Sequence, residues 1–387
     1  MPAHGVDLAP PETMLSDQEV LTLVDFFALA GTRKLRLTGG EPLVRSGIVG
    51  MVRRLAAMRG IESVGLTTNG LVLRRLARPL WEAGLTHVNV SLDTLQKVRF
   101  ESITRRKGFN AVRAGIDAAL ALGRNSGYRS DTASGFSSWG GEGSNRHEYG
   151  LHEEQRPPLH VKVNCVVMRG MNDDELGAFV ALTKHAPIDV RFIEWMPFDD
   201  NEWGSDRFVP FSEMLALLES QGYPTGEFTS GKPNRRIDDG RMCTASMGSF
   251  REHERAVLER LDAHQEATTS DTTKWFRALG HKGRVGFITS MSEHFCSTCN
   301  RLRVTADGKL KACLFGANEV DLKPPLRSQS PSASSPVLTA AGRLQTAMDL
   351  ANLIGSAVRA KAFALGGHKD MHAIAKGENR AMIRIGG

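Results

Sequence analysis

Hydrophobic and polar positions along residues 16–196 follow a repeating order of helix-like and strand-like segments. Apolar residues recur at helical spacing in DQEVLTLVDFFALAG, which has Ser16 as its N-cap and closes on Gly31. The predicted strands are 34–39, 63–70, 87–93, 161–168 and 189–196, and the predicted helices between them are 49–60, 71–84, 109–123 and 173–186. Strands separated by helices in this way predict parallel βαβ units, and therefore an α/β fold built as a full or partial (β/α) barrel.

Three polar stretches interrupt this pattern. Residues 124–158 are rich in Ser, Gly and charge with almost no aliphatic side chains, which predicts a disordered loop. Residues 229–283 are polar and mixed, with one predicted helix in FREHERAVLERLDAHQ, and SQSPSASSP (328–336) precedes a helical C-terminal segment. We therefore expect a barrel over 1–228, a polar insertion over 229–283 and a C-terminal region over 284–387.

The composition is that of an ordinary folded protein, with 41% hydrophobic and 24% charged residues. No apolar run approaches the ~20 residues of a membrane span, and no basic stripe with interleaved aromatics suggests nucleic acid, so neither partner is expected. Lys and Arg outnumber Asp and Glu by 49 to 43, which fits an anionic ligand such as a nucleotide. Five cysteines in 387 residues do not make a disulfide framework, and the lone Cys165 and Cys243 are expected to be structural.

Three cysteines cluster near the C-terminal end in a Cys-x2-Cys-x13-Cys pattern formed by Cys296, Cys299 and Cys313. The first two share a tight turn, and the third returns after a hairpin predicted at Asp307-Gly308, so three thiolates can converge on one metal centre. The spacing alone leaves two possibilities open. One is a structural zinc site with His294 as a fourth ligand, and the other is an iron–sulfur cluster.

Polar and glycine residues at strand positions suggest an anion-binding site. Arg301 and Arg303 occupy alternate positions of a predicted strand, where they could clamp a phosphate or carboxylate or form a solvated edge. The sequence 38–42 (TGGEP) ends the first strand, and its glycines let the backbone approach a ligand while Glu41 can accept from an ammonium group. A glycine-rich turn into the next helix is the alternative.

Polar side chains also stand on the other predicted strands or at their ends, where β/α barrels form active sites. They are Lys34, Arg36, Thr67, Thr68, Asn69, Ser91, Asp93, Lys162, Asn164, Arg191 and Glu194, with Met196 beside them. Inward-facing cations on a barrel strand are costly unless they meet an anion.

Several motifs in order resemble one family. They are KLRLTGGEPLVR, GLTTNG, VNVSLDT, VKVNCVVMRGMNDDE, VRFIEWMPF, FITSMSEHFCSTCNRLRVTADGKLKACLFG and the terminal IGG. Together they resemble the MoaA family, the radical S-adenosylmethionine GTP 3′,8-cyclases that begin molybdenum cofactor synthesis, and the eukaryotic form is the most similar. The resemblance implies a partial TIM-like barrel with a C-terminal cluster-binding segment. It also implies conversion of GTP to (8S)-3′,8-cyclo-7,8-dihydroguanosine 5′-triphosphate.

The resemblance also implies roles for individual residues. Cys296, Cys299 and Cys313 would ligate a 4Fe–4S cluster whose open iron binds the guanine of GTP. The implied GTP-binding residues are Lys34, Arg36, Thr67, Lys162, Arg191, Asn300, Arg301, Leu302 and Arg303. The implied S-adenosylmethionine contacts are Gly39, Gly40, Glu41, Ser91 and Met196. The implied catalytic residues are Arg301, Arg303 and the tail residues Gly386 and Gly387.

One departure concerns the second cluster of the family, which uses a Cys-x3-Cys-x2-Cys motif after the first barrel strand, followed by Met-Pro. This sequence opens with Met1-Pro2, and no cysteine precedes Cys165. We therefore expect that the chain as given lacks the first strand and does not cleave S-adenosylmethionine by itself. The alternative reading is a non-catalytic nucleotide-binding protein that zinc or a single cluster stabilises.

The resemblance further implies partners and a compartment. Beside GTP and S-adenosylmethionine, the expected partners are a reductant protein, the next enzyme of the pathway (cyclic pyranopterin monophosphate synthase) and a second copy in a homodimer. No targeting segment is visible at the N-terminus. The expected location is the mitochondrial matrix for a eukaryotic protein and the cytoplasm otherwise.

Overall fold

The structure is a computed structural model that describes residues 10–124, 156–199, 201–226, 256–261, 272–316, 318–328, 340–377 and 379–382. Most of the predicted loop 124–158 lies outside the described residues, as do Cys243, Gly386 and Gly387. The expectations for those positions therefore stay predictions.

The first half of the chain alternates helices and strands as the sequence predicts. Its elements are α1 (Asp17–Leu29), β1 (Lys34–Leu37), α2 (Ile48–Ala56), β2 (Ser63–Thr68), α3 (Leu73–Glu82), β3 (His87–Ser91), α4 (Lys97–Thr104), α5 (Phe109–Arg124), β4 (His160–Val167), α6 (Leu176–Leu182), β5 (Ile188–Glu194) and α7 (Phe211–Ser220). Helix α1 begins at the predicted N-cap, because the Ser16 hydroxyl accepts from the Glu19 N–H at 3.2 Å and the Glu19 carboxylate accepts from the Ser16 N–H at 2.7 Å. The predicted helix 173–186 is shorter in the structure, since a 3-10 turn at Asp173–Glu175 precedes α6.

In the part that the structure describes, the second half contributes short strands and three helices. They are β6 (Thr225–Gly226), β7 (Leu258–Arg260), β8 (Lys274–Ala278), β9 (Val285–Ile288), β10 (Arg303–Val304), β11 (Lys309–Lys311), β12 (Val320–Asp321), α8 (Lys323–Arg327), α9 (Ala340–Arg359) and α10 (Met371–Lys376). The predicted helix in FREHERAVLERLDAHQ is wrong where the structure describes it, because Leu258–Arg260 is a strand paired with β8. Backbone pairing with β8 outweighs a helical propensity that the charged residues suggest.

The main sheet has nine strands among the described residues, in the order β1, β2, β3, β4, β5, β9, β8, β7, β6. Strands β1 to β5 and β9 pair in parallel, as βαβ units require, while β8 runs antiparallel to both β9 and β7. The chain is therefore an α/β protein whose parallel strands follow each other in sequence order. Strands β7 and β8, which fall in the stretch 229–283, continue this sheet beyond β9.

The principal core lies between one face of the main sheet and the helices. It buries alternate strand residues such as Leu66, Val88, Val90 and Val163, packed against α2, α3 and α5. Strands β10, β11 and β12 form a second, antiparallel sheet, and among the described residues it is not paired with the main sheet. The face of the main sheet opposite to the core is where the polar strand residues lie.

Candidate active site

The register of the parallel strands gathers polar residues on one face of the main sheet. Registered residues of neighbouring strands point to the same side, because side chains alternate along each strand. The rows that result are Arg36, Gly65, His87 and His160, then Thr67, Asn89, Lys162 and Asp189, then Ser91, Asn164, Arg191 and Gly286. We call these three rows the polar face. Five residues with predicted ligand contacts belong to it, namely Arg36, Thr67, Ser91, Lys162 and Arg191.

The charges of three predicted cations act on the imidazole of His87. This ring stacks on His160, with 4.9 Å between the ring centroids. Burial lowers the pKa of His87 to about 2, and the charges of His160, Lys162, Arg36 and Lys34 act in the same direction. The imidazole is therefore neutral at physiological pH. Lys34, Arg36 and Lys162 form one positive region that favours an anion.

The indole of Trp275 lies beneath Lys162. Its ring centroid is 5.4 Å from the Lys162 ammonium nitrogen and 4.3 Å from the Arg284 guanidinium carbon. Arg284 in turn donates two hydrogen bonds to the Asp189 carboxylate, at 3.1 and 2.6 Å. Trp275 is fully buried, so the aromatic ring is a fixed support for the lysine side chain.

Arg191 is buried and held by its neighbour in the row. Its Nε and one terminal nitrogen donate to the Asn164 side-chain oxygen at 2.9 and 2.7 Å. The guanidinium plane is therefore fixed before any ligand arrives, as preorganised binding requires.

Glu41 occupies the turn after β1, but its carboxylate has partners within the chain. One oxygen accepts from the Thr68 hydroxyl at 2.7 Å and the Leu43 N–H at 3.0 Å, and the other accepts from the Asn69 N–H at 2.7 Å. Glu41 therefore ties the turn to the end of β2, and its expected contact with an ammonium group stays a prediction.

Gly39 and Gly40 shape the same turn. Both have left-handed backbones, with φ of +86° and +52°. A Cβ atom at either position would meet no atom within 4 Å, so it is the backbone conformation and not crowding that favours glycine. The turn keeps an open approach to the ends of β1 and β2.

The carboxyl end of β3 carries exposed Ser91 and partly buried Asp93. Asp93 accepts from the Val166 N–H at 2.8 Å, and its carbonyl accepts from the Asn172 amide at 2.6 Å. Burial raises the pKa of Asp93 to about 6. The adjacent Cys165 is a fully buried free thiol whose pKa burial raises, in accord with its expected structural role.

Met196 links the end of β5 to the cysteine segment. It packs on a second hydrophobic cluster that also touches the side chains of Cys296 and Cys313. The aromatic rings of Phe198 and Phe315 stack within this cluster, 5.8 Å apart. The structure therefore brings the predicted S-adenosylmethionine contact Met196 and two predicted cluster ligands onto one apolar surface.

The cysteine segment folds locally as its spacing predicts. Cys296 begins a 3-10 turn that the Cys299 N–H closes at 3.3 Å from the Cys296 carbonyl. A hairpin follows between β10 and β11, where the Thr305 N–H bonds the Lys309 carbonyl at 2.9 Å, and Cys313 comes two residues after β11. None of the four described cysteines forms a disulfide.

The two arginines beside the cysteines occupy different local environments. Arg303 lies on β10, whereas Arg301 precedes the strand and is exposed, so the expectation that both alternate along one strand is wrong. Burial lowers the pKa of Arg303, Arg301 adds to that effect, and the thiols of Cys299 and Cys313 oppose it. These four side chains therefore lie within electrostatic reach of one another. Asn300, Leu302 and the alternative zinc ligand His294 are exposed.

The donor set fits an iron–sulfur cluster in its chemistry. The three thiols are free, and the Sγ of Cys296 accepts the Leu365 N–H at 3.3 Å, a contact that suits a thiolate. Over the described residues, no group of three or more His, Cys, Asp or Glu side chains gathers around a single metal-ion position. The complete ligand set stays a prediction.

Glu194 is a site residue whose full role the sequence does not reveal. It is buried at the end of β5, where one carboxylate oxygen accepts the N–H groups of Met291 and Ser292 at 2.8 and 2.9 Å. The other oxygen accepts the Phe211 N–H at 2.9 Å and the Ser292 hydroxyl. Glu194 therefore anchors the segment that leads into Cys296. The EWMP motif marks its position, but the four donors come from distant parts of the sequence.

Comparison with known proteins gives the class of the chain. A family model described as Radical SAM superfamily matches residues 7–149, and one described as Molybdenum Cofactor Synthesis C matches residues 235–352. In the described part of the chain, no helix combines the length and apolar character needed to cross a membrane.

Curated relatives define the family more closely. Molybdenum cofactor biosynthesis protein 1 of Mus musculus is 41% identical over 100% of this chain and 47% of its own length. The mitochondrial GTP 3′,8-cyclase of Arabidopsis thaliana is 38% identical over 100% of this chain and 76% of its own length. The GTP 3′,8-cyclase of Moorella thermoacetica is 38% identical over 86% of this chain and 80% of its own length. The chain belongs to the GTP 3′,8-cyclase family, and it spans about half the length of the animal relatives that it matches.

Proposed function

We propose that the protein is a GTP 3′,8-cyclase that acts in the first step of molybdenum cofactor synthesis. The observation that carries the proposal is the positive region formed by Arg36 and Lys162 on the polar face, together with Lys34 two residues before Arg36 on β1, since this region suits a triphosphate. Arg191 lies in the next row of the same face and is already oriented by Asn164. Family membership supports the same reaction.

In this proposal the protein contacts both ends of the GTP molecule. The cations of the polar face, together with Thr67, bind the triphosphate and ribose, and charge-assisted contacts of this kind contribute about 1.5–3 kcal/mol each. Arg301 and Arg303, with exposed Asn300 and Leu302, contact GTP near the cysteine segment. Positioning the substrate in this way lowers the entropic part of the activation free energy, because the reacting carbons are held in one geometry.

Cys296, Cys299 and Cys313 would hold a 4Fe–4S cluster, consistent with their three free thiols. When bound, such a cluster supplies an open iron site for the guanine, and the radical SAM family uses S-adenosylmethionine as cosubstrate. The apolar surface under Cys296 and Cys313 limits the access of water to this site.

The S-adenosylmethionine site lies in our proposal at the carboxyl ends of β1, β3 and β5. Gly39 and Gly40 would offer an open backbone turn, Ser91 a hydroxyl and Met196 an apolar contact. Glu41 positions this turn through its bonds to β2.

The sheet would form a partial barrel of the radical SAM type, with the C-terminal region from residue 284 bearing the cluster and the tail residues Gly386 and Gly387 reaching the active site. A reductant protein, a following cyclic pyranopterin monophosphate synthase and a second copy are the proposed partners. The mitochondrial plant relative supports a matrix location if the protein is eukaryotic.

The proposal is tested by metal analysis and calorimetry on the anaerobically reconstituted protein. We expect about four irons with a broad visible band, lost in Cys313→Ala, and saturable binding of GTP. One zinc without a band would instead favour a non-catalytic metal-stabilised binding protein. The chain joined to an upstream segment with the Cys-x3-Cys-x2-Cys motif should yield the 3′,8-cyclo product in a host without its own cyclase. Failure of this extended chain, with both clusters and GTP bound, would refute the activity.

A further inference from the structure

Residues 361–367 form a loop that contacts Cys299, Cys296 and the segment just after Cys313. The Lys361 ammonium donates to the carbonyl of Cys299 at 2.8 Å. The Leu365 N–H donates to the Sγ of Cys296 at 3.3 Å. Both contacts join parts of the chain that are more than 60 residues apart, so neither follows from local sequence.

The same loop presses on the chain next to Cys313. A Cβ atom at Gly366 would lie 2.2 Å from the Phe315 carbonyl oxygen and 2.7 Å from its carbonyl carbon. Such an approach is closed to any side chain, because both obstacles are backbone atoms. Gly366 therefore lets the loop lie directly on the segment that follows Cys313.

The loop holds a conformation that most residues avoid. Leu365, Gly366 and Gly367 have φ of +48°, +66° and +93° in succession. A left-handed leucine carries a steric cost and persists only where its surroundings fix it. Here the Leu365 side chain is buried in the cluster that contains Met291 and Phe315, and its N–H meets the sulfur of Cys296.

We propose that the 361–367 loop is the hydrogen-bonding shell of the cysteine site and sets the reduction potential of the cluster bound there. The proposal rests on the proposed function, because it takes the three thiolates as cluster ligands. Reduction adds one electron from an external reductant to the cluster and makes the site more negative. A donor to the Cys296 thiolate and the positive charge of Lys361 both stabilise that reduced state. The loop therefore raises the potential.

The first test compares Gly366→Ala with Gly367→Ala in the reconstituted protein. Both variants place a side chain on a left-handed backbone, but only the first meets backbone atoms, since the nearest atom to a Cβ at Gly367 is the Ala362 Cβ at 3.7 Å. We expect Gly366→Ala to lower the midpoint potential in a dithionite titration followed by electron paramagnetic resonance. Gly367→Ala should leave it near that of the parent.

The second test keeps the backbone intact. Lys361→Met removes the charge and the bond to the Cys299 carbonyl, whereas Lys369→Met removes an exposed charge from the neighbouring surface. We expect Lys361→Met to shift the equilibrium about tenfold towards the oxidised cluster. This corresponds to a midpoint potential lower by about 59 mV for a one-electron couple. The Lys369 variant should stay within error of the parent. If Gly366→Ala loses the cluster, this pair decides the question.

The outcomes separate the two proposals. Iron at the parental level with an unchanged potential in both Gly366→Ala and Lys361→Met would overturn the role of the loop and leave the proposed function intact. Zinc in place of iron in the parent would overturn both. Lower potentials in those two variants alone, at unchanged iron content, would establish the loop as the shell of the site.

Discussion

Two carboxylates with several hydrogen-bond donors each fix the rim of the polar face at the level of single residues. Glu194 receives four donors from two segments, and Glu41 receives three donors, from the end of β2 and from the turn before α2. A carboxylate offers about four lone-pair sites, so each of these residues can hold several N–H groups in place at once. The ligand-binding turns therefore depend on acidic residues that need not touch a ligand.

Replacing Glu194 with Gln tests this dependence. The amide keeps the volume but turns one acceptor into a donor that faces N–H or O–H groups, and each lost charge-assisted bond costs about 1.5–3 kcal/mol. We expect a lower melting temperature and, after reconstitution, less iron bound, because the Met291–Ser292 backbone is released. Glu62→Gln, at an exposed carboxylate, is the control. Iron content equal to that of the parent would show that Glu194 does not position the cysteine segment.

Asp93 predicts a pH dependence of stability with a definite sign. Its folded pKa of about 6 exceeds the ordinary value of 3.8 for an aspartate, so the folded state binds the proton more tightly than the unfolded state. Stability therefore falls as the pH rises from about 4 to about 6, by up to about 3 kcal/mol at 1.36 kcal/mol per unit. Asp93→Asn should remove this loss, so that its advantage over the parent grows across that range. A difference in melting temperature that is constant with pH would contradict the prediction.

Replacement of Arg303 is expected to weaken the binding of GTP. The thiols of Cys299 and Cys313 act on the pKa of the Arg303 guanidinium, so it lies close to the cysteine site. Arg303→Ala removes one of the proposed charge-assisted contacts to GTP. The expected cost is about 1.5–3 kcal/mol, roughly tenfold or more in the dissociation constant. Arg75→Ala, on the exposed side of α3, is the matched control in calorimetry. Equal affinity for the Arg303 variant and the parent would remove this residue from the GTP site.

Single residues also show where the sequence stops being informative. The cysteine spacing predicts the turn at Cys296 and the hairpin before Cys313, because both are local. The supports of the site are not local: Trp275 reaches Lys162 only through the β8–β9 pairing, and Lys361 reaches Cys299 only through the tertiary fold. No sequence period reports such contacts.

At the scale of helices and strands, the sequence predicts an element where that element buries an apolar face of its own. Helices α1 to α3 and strands β1 to β5 carry clear periodic patterns, and the structure confirms them within a few residues. Strands β7 and β8 were missed because each is short, and their residues are charged or lie in a polar stretch. Their state depends on pairing with β9, which no pattern within the segment reveals.

The β8–β9 pair has a functional consequence through Trp275. This side chain lies on β8 and places its ring under Lys162 of β4, an interaction worth about 0.5–2 kcal/mol, roughly a two- to thirty-fold change in affinity. We expect Trp275→Leu to weaken GTP binding and Trp275→Phe to restore part of it, as a calorimetric titration would show. Trp81→Leu, in the outer helix α3, should lower stability without changing the affinity. The same affinity in Trp275→Leu as in the parent would refute the support role.

At the scale of the whole molecule, two apolar clusters of described residues join the chain after β9 to the rest of the fold. One is the cluster of Phe198, Phe315 and Leu365 beside the cysteines. The other joins α1 to the small sheet and α9 through Leu23, Leu310, Leu322 and Leu350. Backbone and charge contacts reinforce the second cluster, as the Leu15 N–H bonds the Ala306 carbonyl at 2.8 Å and Arg327 pairs with Glu19 at 2.7 Å.

This arrangement predicts that damage at α1 is transmitted to the C-terminal region. Leu23→Ala removes a buried side chain from the shared cluster and should cost about 2–5 kcal/mol of unfolding free energy. Hydrogen exchange should then accelerate in β11, β12 and α9, although all three are far from residue 23 in sequence. Leu80→Ala, in the core beneath α3, should cost a similar free energy while accelerating exchange in α3 and α5 instead. If Leu23→Ala leaves exchange in α9 and β11 at the parental rate, the C-terminal region is stable without α1, and the two parts of the chain fold as separate units.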